Sequence, residues 1–193
     1  MKIAILGWGS LIWDRRNLQI KNNWKKDGPF LPIEFARISR DGRLTLVLYP
    51  PAQEVQSFWA YSAFQKLDYA KENLRTGENT NPGKIGYISI KDERYNCQAA
   101  PDVLSNIRDW ANESGLDAVI WTDLKSNFVR KTETDFTKEN AIAYLCNLSR
   151  EKLENAETYI RRAPKQISTK MRPLIEEKLA GLKKWPKALA SLD

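Results

Sequence analysis

The chain has 193 residues, a globular composition and a formal net charge of +7, from 31 basic and 24 acidic residues. That length suits one large domain that buries its apolar surface without a disulfide or metal staple. The chain has no histidine, which excludes Ser-His-Asp and Cys-His triads, the H-E-x-x-H motif and imidazole ligation, and its two cysteines, Cys97 and Cys146, cannot form a four-cysteine zinc site.

In chain order, residues 2–6 form a short apolar run that reads as a buried strand entering a Gly7-Trp8-Gly9-Ser10 turn. Residues 33–39 and 44–49 flank Asp41-Gly42, a hairpin signal, and Pro50-Pro51 ends the second strand. Residues 55–61 read as one further strand. Ser62 is the expected cap of a helix running to about Arg75, broken by Gly77. Residues 85–90 are a strand. Pro101 opens a helix carrying Val103, Leu104, Ile107, Trp110 and Ala111 on one side, and residues 118–121 form a strand.

The last third is helical. Thr137 caps a helix with Ala141, Ile142, Leu145 and Leu148 as its apolar face. Ser149 begins a second helix, ended by Ala163-Pro164, and residues 170–182 form a third. Cys146, between Leu145 and Leu148, is expected to pack. Strands first and helices later, without regular alternation, point to a mixed or barrel-like α+β domain. The expected layout is one domain over 1–193: a mixed core with helices over 1–130, and a helical extension over 137–185 packed on it.

Residues 149–193 hold 11 Lys/Arg against 6 Asp/Glu, so much of the positive charge is C-terminal. It includes Arg161, Arg162, Lys165, Lys170, Arg172, Lys178, Lys183, Lys184 and Lys187. A solvated helical end is the plain reading, and a nucleic-acid footprint the alternative. Two lone cysteines fit a reducing compartment. With no signal-peptide pattern and no apolar run near the ~18–20 residues of a membrane span, a cytoplasmic, non-membrane protein is expected.

The sharpest local feature is Gly7-Trp8-Gly9-Ser10-Leu11 directly after the first strand. Glycines permit close backbone approach, and successive amides in such a turn can cradle a carboxylate or phosphate. A tight strand exit is the structural alternative. Ile12 stands where G-x-G-x-x-G needs its third glycine, and no Gly-Lys-Ser/Thr follows. Trp8 and Trp13 can wall a small pocket or fill core.

This stretch resembles the γ-glutamylcyclotransferase-like superfamily, whose members carry Tyr-Gly-Ser-Asn-Leu or Tyr-Gly-Ser-Leu after the first strand. Here the match is Trp8-Gly9-Ser10-Leu11, with Trp8 in the tyrosine position. The family's Leu-Asp-x-x-Glu-Gly segment is matched by Leu74-Arg75-Thr76-Gly77-Glu78-Asn79, followed by Gly86-Tyr87-Ile88. Arg75 and Asn79 depart from that pattern. The resemblance covers about residues 1–95. It implies a small mixed barrel flanked by helices, and release of 5-oxoproline from a γ-glutamyl amine or peptide, with Glu78 as catalytic base and residues 7–11 holding the carboxylate.

Such a reaction is an internal aminolysis. One carboxylate can take the α-amine proton and return it to the leaving nitrogen, without metal, cofactor or nucleophilic cysteine. Burial near Tyr87 or Trp59 would raise the pKa of that base, and Tyr87 joins the expected binding residues. Glu34, acidic inside the apolar strand 33–39, is the competing carboxylate: it is either catalytic, solvated, or buried with a partner. A non-catalytic small-molecule-binding protein of the same fold is the alternative function.

Overall fold

The computed structural model describes residues 1–183. Lys184 and Lys187 of the basic end lie outside the described residues. The strands are β1 (Ile3–Gly7), β2 (Phe30–Ile38), β3 (Leu44–Leu48), β4 (Glu54–Gln56), β5 (Phe58–Tyr61), β6 (Ile85–Ser89), β7 (Arg94–Asn96) and β8 (Ala118–Thr122). The helices are α1 (Leu67–Glu78), α2 (Pro101–Glu113), α3 (Phe128–Thr132), α4 (Lys138–Cys146), α5 (Arg150–Arg162) and α6 (Met171–Lys183).

Five strands form one sheet in the order β5-β1-β8-β6-β7, and β3-β2-β4 form a second. The β1–β8 pair is parallel, and the other pairs in the larger sheet are antiparallel. Alternation along the central strands builds two apolar layers. Ile3, Ile5, Ala118, Ile120 and Ile85 face Ala70 and Leu74 of α1, together with Leu11 and Leu18. Ala4, Leu6, Val119, Trp121 and Ile88 face the small sheet, α2 and the C-terminal helices. Both faces are covered, which is why these strands are nearly uninterrupted apolar runs. The side chains of Tyr159, Ile160, Ile175 and Leu179 belong to the same core as Phe35 and Leu44, so α5 and α6 pack directly on the small sheet.

The expected barrel is not formed. The architecture is α+β, with two small open sheets whose outer strands do not close a ring. The reason lies in residues 55–61. They are not one strand. Ser57 turns away and ties itself to the Pro29 carbonyl, through its amide at 3.1 Å and its hydroxyl at 2.8 Å. Before it, β4 pairs with β2; after it, β5 pairs with β1. The chain thus passes between sheets instead of joining them edge to edge. The other outer strand of the larger sheet, β7, is three exposed residues long.

The Asp41-Gly42 hairpin forms as expected between β2 and β3, with Gly42 at φ +86°. Thr137 caps α4, its side chain accepting from the Asn140 amide at 3.2 Å. Gly77 does not end α1. The helix continues to Glu78 and stops at left-handed Asn79, φ 47°. Cys146 is exposed, because Leu145 takes the inward position. Strand β7 and the short α3 carry no periodic apolar signal.

Candidate functional site

A cavity of about 350 Å³ opens where the C-terminal ends of β1 and β8, the end of α1 and the β2–β3 hairpin converge on α5. Gly7, Trp8, Gly9, Ser10, Leu11 and Glu78 all line it. The turn after β1 and the acidic end of α1 thus border the same cavity. Among the described residues, no group of three or more His, Cys, Asp or Glu side chains is placed to hold a metal ion.

Arg16 joins the two segments. Its Nη2 donates to Ser10 Oγ at 2.5 Å, and its Nη1 lies 3.4 Å from Glu78 Oε2. The same Nη1 donates to the Gly77 carbonyl at 2.9 Å. A carboxylate at the C-terminal end of a helix meets the unfavourable end of the dipole, and this cation offsets both that and the exposed carbonyls. Arg16 and Asn79 both adopt left-handed backbone, φ 50° and 47°, on either side of Glu78. Such conformations carry strain in non-glycine residues.

The Glu78 side chain is only 19% exposed. Burial pushes its pKa above the usual glutamate range, opposed by the Arg16 charge, by the Arg16 hydrogen bond and by the Thr122 hydroxyl at the end of β8. A base stronger than ordinary glutamate, still tethered to a cation, results.

Tyr159 of α5 forms another wall. Its ring is held edge-on by Trp13, centroids 5.4 Å apart, and by Phe35, 6.4 Å apart. Burial raises its pKa to about 12. Its hydroxyl accepts from the Leu46 amide at 3.4 Å. A Cβ added to Gly9 would stand 2.9 Å from that hydroxyl. At Gly7 a Cβ would stand 2.8 Å from the Trp24 ring. Both glycines are therefore required by close approach.

Residues Ser10–Ile12 form a 3-10 turn, and the amides of Ile12, Trp13 and Asp14, just beyond the expected cradle of residues 7–11, bond to the Gly9 and Ser10 carbonyls. Positive charge in the cavity comes from side chains: Arg16, Arg37, Arg40 and Arg43 all line it. Arg43 also lies over the Tyr159 ring, 5.3 Å from its centroid.

Two expected site residues lie elsewhere. Glu34 is buried behind the cavity wall and faces α6. Its Oε1 accepts from the Phe35 amide at 2.8 Å and its Oε2 from the Met171 amide at 3.2 Å. Burial raises its pKa, opposed by hydrogen bonds from the Thr169 side chain and from those two amides. It caps α6 and does not face the cavity. Tyr87 lies on the opposite layer, its ring beneath Lys71 Nζ at 4.3 Å. Trp59 meets Tyr61 and Trp110 edge-to-face and does not line the cavity. Glu78 instead shares its cavity with the turn, Tyr159 and Thr122 of β8.

Sequence reasoning missed Arg16, Arg37, Arg40, Arg43 and Tyr159. Tyr159 stood on the apolar stripe of a helix, where its hydroxyl was the available signal: a buried phenol needs a partner. The arginines of the hairpin had no pattern of their own.

The basic C-terminal segment is partly committed to structure. Arg172 is buried and donates to the carbonyls of Ile160, Ala163, Pro164 and Ile167, closing the end of α5. Arg161 pairs with Glu157 at 2.6 Å. Among the described residues no helix is long and apolar enough to cross a membrane.

Compared with known proteins, the chain matches no family model, and no curated protein and no solved structure is significantly similar to it. The expected likeness to the γ-glutamylcyclotransferase-like superfamily, read from residues 8–11, 74–79 and 86–88, thus gains no support from these comparisons.

Proposed function

We propose that the cavity binds a γ-glutamyl amine or γ-glutamyl peptide and releases 5-oxoproline by intramolecular aminolysis, with Glu78 carrying the proton. The observation that supports this most is the Arg16 bridge, which sets Ser10 and Glu78 in one cationic cavity. The α-carboxylate of the substrate is held by Arg16 with Ser10. This aims the neutral α-amine at the γ-carbonyl, and ring closure gains from that proximity.

The steps balance without any added reactant. The amine nitrogen forms a bond to the γ-carbon while Glu78 accepts its proton. The γ-amide C–N bond then breaks, and Glu78 returns the proton to the departing nitrogen. The raised pKa of Glu78 suits both halves of this exchange. Tyr159 remains a neutral phenol at ordinary pH. Its oxygen accepts from Leu46, so its own proton is available to the carbonyl oxygen as negative charge builds there.

Incubating the protein with a panel of γ-glutamyl amides and peptides, with chromatographic detection of 5-oxoproline, tests the reading. Release from at least one member is expected. The Arg16–Glu78 ion pair also suits a non-catalytic carrier of acidic ligands, and tight binding of the panel without release would favour that reading.

A further inference from the structure

We propose that the hairpin end of the cavity is a phosphate subsite built by Arg37 and Arg40, so that the natural ligand carries a phosphate besides the carboxylate gripped by Arg16 and Ser10. This deepens the reading above and rests on it for the carboxylate-bearing half of the ligand.

The argument is one of unmatched charge. Four arginines and one glutamate line the cavity. Arg16 is matched by Glu78 at 3.4 Å and Asp14 at 3.7 Å, and Arg43 by Asp41 at 2.8 Å. Among the described residues neither Arg37 nor Arg40 has a carboxylate within ion-pair distance. Arg37 is half-buried, and its Nη1 donates to the Lys125 carbonyl at 2.7 Å. Burial and then the nearby Arg130 charge both disfavour its ionised form. A desolvated cation beside another cation is costly unless a ligand brings the counter-charge.

A γ-glutamyl group has one carboxylate, and that is used at the other end. Arg37 and Arg40, both lining the cavity without a carboxylate partner, together call for more than one negative charge. A phosphate monoester supplies roughly −1.5 to −2 and three strong acceptor oxygens, which suits forked guanidinium donors. The phosphate is then on the leaving amine, at the end of the cavity away from Glu78.

The test uses calorimetric titration of wild type and Arg40→Gln. The ligands are three γ-glutamyl amides that differ only in the leaving amine: 2-aminoethyl phosphate, β-alanine or 2-aminoethanol. Arg40 is exposed, and circular dichroism checks that the variant is folded. In wild type the phosphate amide is expected to bind at least about tenfold more tightly than the other two, and in Arg40→Gln that ratio falls to about threefold or less. A β-alanine amide that binds as tightly as the phosphate amide overturns the phosphate assignment, and equal affinity for all three overturns the subsite. 5-oxoproline assays on the same ligands separate the two ideas. A retained phosphate preference with no release from any amide supports the subsite and defeats the catalytic reading. Release from all three with equal affinities does the reverse.

Discussion

The Arg16 guanidinium lies 3.4 Å from the Glu78 carboxylate and ties it to the turn that follows β1. The ion pair sets a limit on how far burial can neutralise Glu78.

A pH dependence of the proposed reaction follows. Glu78 acts as a base only when ionised, and burial holds its pKa above the usual glutamate range while Arg16 opposes that shift. Activity is expected to rise with pH through that raised value. In Arg16→Met the opposing charge and hydrogen bond are gone, so the acid limb of the kcat/KM profile moves to higher pH. An unmoved limb would show that Arg16 does not set the ionisation of the base.

Stability runs the opposite way with pH. A carboxyl whose pKa is higher folded than unfolded contributes stability at low pH, below its unfolded value, and loses that contribution as pH rises through the folded value. Glu78→Gln should therefore gain thermal stability relative to wild type between pH 4 and pH 8. Melting curves at the two pH values check this, and an equal difference at both would contradict it.

Glu34 is a structural acid, unlike the base proposed at Glu78. It satisfies the Phe35 and Met171 amides inside the protein. Glu34→Ala leaves those donors buried and is expected to cost roughly 1–3 kcal/mol of unfolding free energy. Denaturant titration measures it. A loss under about 0.5 kcal/mol would mean that the capping contact is dispensable.

Gly9 and Tyr159 are expected to be coupled. Gly9→Ala drives a methyl against a phenol whose ring is fixed by Trp13 and Phe35, at a cost of about 1–3 kcal/mol. Tyr159→Phe removes the obstructing oxygen, so the double variant should lose less than the two single losses added together. Strict additivity in a double-mutant cycle would refute the contact.

The legible parts of the fold were those set by local pattern. The Asp41-Gly42 hairpin, the Thr137 cap and the apolar strands β1, β6 and β8 follow from turn chemistry, capping and burial on two faces. Sheet closure was not legible, because it depends on Ser57 finding the Pro29 carbonyl, a contact between distant segments. Likewise the turn at residues 7–11 and Glu78 could be matched to a motif. The arginines of the cavity could not, since their convergence depends on how the hairpin packs against α5. In sequence Glu34 is an acid inside an apolar strand and Glu78 an acid at the start of a polar connection, and neither setting says which one reaches the cavity. Only the position of α6 distinguishes a cap from a cavity wall.

The most direct measurement is 5-oxoproline release by wild type and Glu78→Gln from the same γ-glutamyl amide, with binding followed in parallel. The expected result is a fall in rate of about 10²–10⁴ with the ligand still bound. Undiminished release by a folded Glu78→Gln protein would show that another group carries the proton and would contradict the account.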